Sequence, residues 1–131
     1  MSYEKLTNEE VDEHNRQVQE RRERRAKKLL GIKHDQGKAP ISLVPSGALK
    51  ATARVLAFGA KKYGVHNWRG GMEHSRLSSA ALRHIFSYTD GQNLDPESGE
   101  EHLAHAICCL MMLLEFRIDR KGDDDRYKKE D

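Results

Sequence analysis

The apolar residues of the chain are grouped into three segments with helical spacing. They run from Gly47 to about Tyr63, from about Arg76 to Thr89, and from about Glu97 to Ile118. Within each segment, apolar side chains recur every three or four residues, as on one face of an α-helix. Nothing along the chain alternates like a strand. The pattern predicts an all-α fold, a small bundle of three core helices with little or no strand.

The same spacing predicts which side chains form the core. For the first helix these are Leu49, Ala53, Leu56, Ala57 and Ala60, and for the second Leu77, Ala80, Ala81, Ile85 and Phe86. The third helix is apolar on nearly every side, so we expect it to be central and most buried, with a stripe of Leu103, Ala106, Ile107, Leu110 and Leu114. Three helices leave much of this apolar surface to cover, which favours a homo-oligomer, a dimer or larger. Ser46 and Gly64 are the expected caps of the first helix.

An N-terminal helical arm is predicted before the bundle, over residues 1–31. Thr7 and Glu10 form a capping-box pattern, and Gly31 is a plausible end. The stretch ERRERRAKK carries six basic residues in nine. Such a stretch is typical of a solvated helix face, or it contacts nucleic acid or another phosphate. The predicted folded domain follows over residues 32–118, and the charged tail, residues 119–131, is expected to be disordered.

Composition places the chain among soluble proteins of one domain. It has 131 residues, of which 37% are hydrophobic and 34% charged, with a net charge of +2. Cys108 and Cys109 are adjacent, so a disulfide between them is not expected, and reduced thiols fit the cytoplasm. The first residues resemble no signal peptide, and the longest apolar stretch is too short to span a bilayer. We therefore expect a cytoplasmic protein without a membrane partner.

A histidine pair opens the third core helix. His102 and His105 are three residues apart, a spacing that lets two imidazoles converge on one metal or phosphate. Read alone, they are more typical of hydrogen-bonded structural histidines. His84 would approach them if the second and third helices are antiparallel neighbours. The connecting loop adds four carboxylates, Asp95, Glu97, Glu100 and Glu101. Imidazole with carboxylate suits zinc, manganese, cobalt or nickel better than magnesium alone, although acids also favour a helix N-terminus through its dipole.

A second cluster, KKYGVHNWRGG, combines aromatic, amide and basic side chains. Trp68 and Tyr63 can stack on a base, Asn67 can read its edge, and the basic residues can hold phosphate. These basic residues are Lys61, Lys62 and Arg69. The alternative is a tryptophan that covers the core. Further upstream, Lys38 in DQGK either reaches a phosphate or is a solvated turn lysine.

Together these motifs resemble a known family. The order D-x-GK, LVP-x-x-AL, FGA-x-KYG-x-x-NWR, RH and D-P-E-S-G-x-x-HLAH is similar to that of phage-encoded dATP/dGTP diphosphohydrolases. Those proteins are related to the all-α nucleoside triphosphate pyrophosphatases of the MazG type. The resemblance extends from about Lys33 to Glu115. It implies hydrolysis of dATP or dGTP to the monophosphate and pyrophosphate, with a divalent metal (Mg, Mn, Co or Zn) as cofactor.

The resemblance also implies roles for individual residues. The implied metal ligands are His102, His105, His84, Glu101, Asp95 and Glu97. Glu101, His84 and Arg83 are the implied catalytic residues. Arg83 joins Lys38, Arg69, Lys61 and Lys62 as a phosphate-binding residue, and Trp68, Tyr63 and Asn67 would bind the base.

The chain departs from the MazG type at one point. Relatives of that type carry acids at E-x-x-E on one helix and E-x-x-D on the next, whereas no acid lies between Leu77 and Tyr88 here. His102 and His105 occupy the second set of positions. This departure leaves open a protein that binds and sequesters a nucleotide without catalysis. The basic arm leaves open a second alternative, a nucleic-acid-associated protein that uses this arm.

Overall fold

The computed structural model describes residues 6–128 and contains four α-helices. They are α1 (Asn8–Lys28), α2 (Ser46–Tyr63), α3 (His74–Thr89) and α4 (His102–Asp119). Between residues 6 and 128 there is no strand, only two isolated bridges. The predicted all-α class is confirmed. No helix in this range is long and apolar enough to cross a membrane.

The chain divides into two compact units after Ala39. The first contains α1, which begins with the predicted capping box: Thr7 Oγ1 accepts from the Glu10 amide at 3.2 Å, and Glu10 Oε2 accepts from the Thr7 amide at 2.7 Å. None of the described side chains of α1 is buried. An arm with little to bury is what its composition predicts. Residues 1–5 of the predicted arm lie outside the described residues.

Helix α2 begins the second unit with a different core face from the one expected. Thr52 and Val55 are buried, whereas Leu49 is 48% exposed and Ala53 and Ala57 are exposed. The predicted stripe was therefore wrong for these three residues, because Ala51 and Val55 are the side chains that pack with Ala104 and Cys108 of α4. The Thr52 hydroxyl donates to Ala48 O at 2.8 Å, so its burial leaves no unpaired donor.

Of the two caps predicted for α2, the N-terminal one was wrong and the C-terminal one is confirmed. Ser46 is the first helical residue and not the N-cap, a position that Pro45 occupies without a side-chain hydrogen bond. Gly64 ends the helix at φ 96°, and its amide donates to Ala60 O at 2.9 Å. A residue without a Cβ adopts this φ most readily, so the predicted glycine C-terminus is confirmed.

Helices α3 and α4 pack against each other as antiparallel neighbours. His84, near the end of α3, contacts His102 at the start of α4, and His74, at the start of α3, stacks on Phe116 near the end of α4. Leu77 and Ala81 are buried as expected. Phe86 is 61% exposed, so its predicted place in the core was wrong, because the face with Leu77 and Ala81 is the one turned to α4.

Helix α4 is the central element because it packs against both α2 and α3. It begins at His102 and not near Glu97, since the preceding residues form a turn around the Asp95 side chain. Its buried residues are His102, Ala104, Ala106, Cys108 and Phe116. Of the predicted core stripe, Ala106 is buried as expected, but the prediction was wrong for Leu103, Ile107, Leu110 and Leu114. The leucine-rich stripe is partly exposed, with Leu110 at 49% and Leu114 at 60%, and His102 belongs to the core at 3%.

The segment after α4 returns to the start of α3. The His74 amide donates to Asp123 O at 2.8 Å, and the Asp123 amide donates to Met72 O at 3.1 Å. Asp125 then accepts from the Ser75 amide at 2.9 Å and from the Ser75 hydroxyl. The first half of the predicted tail, residues 119–131, thus contacts α3. Residues 129–131 lie outside the described residues.

Candidate active site

An open cleft of about 1290 Å³ lies between the end of α2, the 3₁₀ turn Asn67–Gly70, α3 and the start of α4. It is large enough for a nucleotide. Most residues that the sequence singled out line it: Lys62, Tyr63, Asn67, Trp68, Arg69, Arg83, His84, Asp95, Glu97 and His105. Lys61 and Glu101 are exposed outside this lining, and His102 is buried. Lys38 belongs to the first unit.

Three of the predicted metal ligands converge beside the cleft. His84, Asp95 and His102 each offer a ligand atom, and these atoms lie within 4.8 Å of one another. The two imidazoles face each other through their Nδ1 atoms at 2.8 Å, and His84 Nδ1 is 4.0 Å from Asp95 Oδ2. We call this set the His84–Asp95–His102 group. Two imidazoles and a carboxylate fit a divalent transition metal.

The loop between α3 and α4 holds Asp95 in place. Its Oδ1 accepts from the amides of Glu97 at 2.9 Å and Ser98 at 3.0 Å. Burial alone would raise the pKa of Asp95, but the hydrogen bonds from these amides, together with the nearby imidazoles, hold the pKa below its ordinary value. Asp95 is therefore a carboxylate at neutral pH, the form that binds a cation.

His105 stands next to the group but has a different partner. Its Nε2 lies 2.6 Å from Ser98 Oγ, and its ring stacks on that of His84 with centroids 4.4 Å apart. Burial lowers the pKa of His84 and of His105. The neighbouring imidazoles act in the same direction, and Asp95 opposes them. Both side chains are consequently neutral imidazoles at neutral pH, the form in which histidine binds a metal or accepts a proton.

Two of the remaining loop acids pair with basic side chains of α2. Glu97 Oε1 pairs with Lys62 Nζ at 2.6 Å, and Glu100 Oε2 pairs with Arg54 Nε at 3.1 Å. Glu101 is the N-cap residue of α4 and is exposed. The structure thus brings Asp95 into the histidine cluster and places Glu97 and Glu101 apart from it.

The aromatic side of the cleft is formed by the 3₁₀ turn. Trp68 is partly buried, with its ring 6.0 Å from that of Phe116, and the Arg69 guanidinium lies over it at 4.4 Å. Arg69 also donates to His66 Nδ1 at 3.0 Å. Trp68 therefore covers part of the core and also borders the cleft, so the two predicted roles are compatible. Tyr63 is 63% exposed at the end of α2.

Two further polar side chains contact the histidines, and no sequence motif had pointed to them. Ser98 contacts His105, and Gln92 Oε1 lies 2.9 Å from His102 Nε2. The Asp-x-x-Ser spacing of Asp95 and Ser98 is a local signal for the turn. The contact of Gln92 joins residues ten positions apart on opposite sides of a loop, which no local pattern predicts.

Comparison with known proteins places the chain in a family. A family described as "dATP/dGTP diphosphohydrolase, N-terminal" matches residues 30–126. A relative from Salmonella phage PMBT28, a dATP/dGTP diphosphohydrolase, is 42% identical over 98 residues, which are 75% of this chain and 33% of the relative. The chain thus spans about a third of the length of that relative. No solved structure matches. The match over residues 30–126 shows that the chain belongs to the family of the dATP/dGTP diphosphohydrolase N-terminal domain.

Proposed function

We propose that the protein hydrolyses purine deoxynucleoside triphosphates, dATP or dGTP, to the monophosphate and pyrophosphate with the help of a divalent metal. The observation that carries the proposal is the His84–Asp95–His102 group beside a cleft lined by cationic and aromatic side chains. Membership of the family and the phage relative's activity support the same reaction.

Different residues of the cleft bind the triphosphate and the base. Arg83, Arg69 and Lys62 offer positive charge to the triphosphate, and Trp68 offers a ring on which a purine can stack. Asn67 and Tyr63 lie beside it and can contact the base or sugar. Lys62 pairs with Glu97 in this structure, so a bound phosphate would replace the Glu97 carboxylate as the anionic partner of Lys62. Lys61, at the end of α2, stays a candidate for the distal phosphates.

His84, Asp95 and His102 would hold the metal, which when bound supplies a positive charge that polarises the phosphates and lowers the pKa of water. Hydrolysis also needs an acceptor for the proton of the attacking water. His105 is neutral, lines the cleft and lies outside the His84–Asp95–His102 group, and we assign it this role. Glu101, the other candidate acid, is exposed at the start of α4.

The reaction is tested with metal-stripped protein and a panel of dNTPs. Pyrophosphate and monophosphate should appear with dATP or dGTP after Mg, Mn, Co or Zn is added, and EDTA should stop their release. Arg83→Met and His105→Gln should each slow turnover, by about 100-fold or more for the histidine. Tight nucleotide binding without product in any metal would contradict hydrolysis and support a sequestering protein.

We further propose that the protein is a homo-oligomer, a dimer or larger, and that it acts in the reducing cytoplasm, where its two free cysteines fit. An apolar stripe runs along α4 and is exposed in the single chain: Leu103, Ile107, Leu110, Met111, Leu114 and Ile118. With about 100° between successive residues, this stripe points roughly away from His105. A continuous apolar face of this length is typical of an interface, and a second copy would cover it without closing the cleft.

A further inference from the structure

Gln92 touches the histidine cluster from outside the cleft. It lies in the loop after α3, and its Oε1 is 2.9 Å from Nε2 of His102, which is only 3% exposed. The adjacent carbonyl of Asn93 accepts from the His102 amide at 2.8 Å. His102 is thus held at its backbone by one residue and at its ring by the next. Only the ring contact affects which nitrogen of His102 carries the hydrogen.

A neutral imidazole has one N–H and one lone pair, and an amide oxygen can only accept. Because Oε1 of Gln92 faces Nε2 of His102, that nitrogen carries the hydrogen. The lone pair of His102 is then on Nδ1, the atom that lies 2.8 Å from His84 Nδ1. At this distance one of the two Nδ1 atoms must donate, and His102 has no hydrogen there. In the metal-free protein, His84 therefore donates its Nδ1–H to His102.

We propose that Gln92 is a positioning residue that fixes the Nε2–H tautomer of His102 and so keeps the Nδ1 lone pair directed at His84 and Asp95. The proposal deepens the proposed function, on whose divalent metal it rests. A divalent cation would be held by Asp95 and by the Nδ1 lone pairs of His84 and His102, so His84 would then have to carry its ring hydrogen on Nε2. Outer partners of this kind typically change metal affinity by about 10- to 100-fold.

The first measurement needs neither metal nor substrate. Long-range ¹H–¹⁵N spectra of the metal-stripped protein report which ring nitrogen of each histidine is protonated. We expect Nε2–H for His102 and Nδ1–H for His84. Gln92→Leu should shift His102 toward Nδ1–H or a mixture. Gln92→Glu keeps an acceptor at the same place and should retain Nε2–H. Asn93→Leu is the matched control, since Asn93 contacts His102 through its backbone.

The second measurement titrates Co²⁺ alone into the same proteins and follows its absorption bands. Gln92→Leu should weaken Co²⁺ binding about 10- to 100-fold, whereas Gln92→Glu and Asn93→Leu should stay close to the wild type. Should Gln92→Leu fail to fold, retention of Nε2–H and of Co²⁺ affinity in Gln92→Glu still supports the assignment, and their loss overturns it.

Two results separate this proposal from the proposed function. His102 protonated on Nδ1 in the wild type, or a Gln92→Leu protein that matches the wild type in both measurements, overturns the role of Gln92. If instead the tautomers respond as expected but the wild type binds no Co²⁺, the role of Gln92 in setting the tautomer is supported and the metal dependence of the proposed function is overturned.

Discussion

Asp95 gives the sharpest test of the metal group at the scale of single residues. Asp95→Asn keeps the shape of the side chain and its turn but removes the charge that a cation requires. We expect Co²⁺ or Zn²⁺ affinity to fall by more than about 100-fold, since a ligand contributes at least as much as an outer partner. Calorimetric titration measures it. His34→Ala, a histidine of the first unit, is the control. Unchanged affinity in Asp95→Asn would remove Asp95 from the site.

The depressed pKa values of His84 and His105 predict how stability depends on pH. Burial lowers both below the ordinary value of 6.5. Below pH 6.5 the unfolded chain therefore binds protons that the folded chain does not, and the free energy of unfolding of the metal-free protein should fall as pH decreases from there to the folded pKa values. Denaturant midpoints at several pH values between 8 and 5 measure this. The double variant His84→Gln/His105→Gln should show a weaker dependence of the unfolding free energy on pH. A slope equal to that of the wild type would contradict the lowered pKa values of His84 and His105.

Trp68 is expected to contribute binding more than chemistry. Stacking of a base on an aromatic ring is worth about 1–3 kcal/mol, so Trp68→Ala should raise KM for dGTP by roughly 5- to 150-fold with a smaller change in kcat. Trp68→Phe retains a ring and should lie closer to the wild type. Because Trp68 also packs near Phe116, thermal melting of both variants separates lost stacking from lost folding. Equal KM values for Trp68→Ala and the wild type would show that the purine does not stack on Trp68.

At the scale of the elements, the helices could be read from the sequence but the faces of α4 could not. Periodicity and the Gly64 and Thr7 signals are local, and they gave helices close to the observed ones. On a helix that is apolar nearly all round, however, spacing does not say which side packs inward. The side of α4 that packs inward is the one that contacts α2 and α3. It carries His102 and small residues, whereas the leucine stripe faces outward.

The candidate site was predictable to the extent that its residues share a segment. Asp95 and the histidines were recognised as a ligand set because they cluster within a short stretch and within reach of His84. The choice of Asp95 over Glu97 and Glu101 depends on which carboxylate the turn directs inward. Gln92 and Ser98 depend on contacts made only after the loop has folded. Which loop side chains contact the histidines depends on the folded geometry of the loop, and residue spacing in the sequence does not predict it.

Gly122 is expected to hold the segment after α4 against α3. At φ 74°, a Cβ on this residue would lie 2.6 Å from Met72 O and 3.1 Å from Phe116. Gly122→Ala should therefore destabilise the fold by about 1–3 kcal/mol, as backbone strain and a backbone clash combine. Gly91→Ala is the matched control, because Gly91 also has a positive φ, 97°, but open space around it. Thermal or denaturant melting gives both values, and equal losses would show that the close approach does not matter.

At the scale of the whole molecule, α4 has two chemically different faces. One carries His102 and His105 toward α3 and the cleft, and the other presents the leucine stripe outward. Apart from Lys38, every candidate site residue belongs to the unit that follows Ala39. A second copy on the outer face would therefore stabilise the helix that positions the histidines, without supplying any of the His84–Asp95–His102 group.

This arrangement predicts that assembly can be broken while the histidine site survives. Leu110→Glu/Leu114→Glu places two charges in the apolar stripe, where burying them against a second copy would be costly. We expect the wild type to sediment as a dimer or larger and this variant to shift toward the mass of a single chain. Its Co²⁺ affinity should stay within a few-fold of the wild type if the variant remains folded. Leu43→Glu changes a leucine that is 79% exposed outside α4 and should leave the mass unchanged. A wild type that sediments as a monomer, or a stripe variant that keeps the wild-type mass, would show that α4 does not bind a second copy through this face.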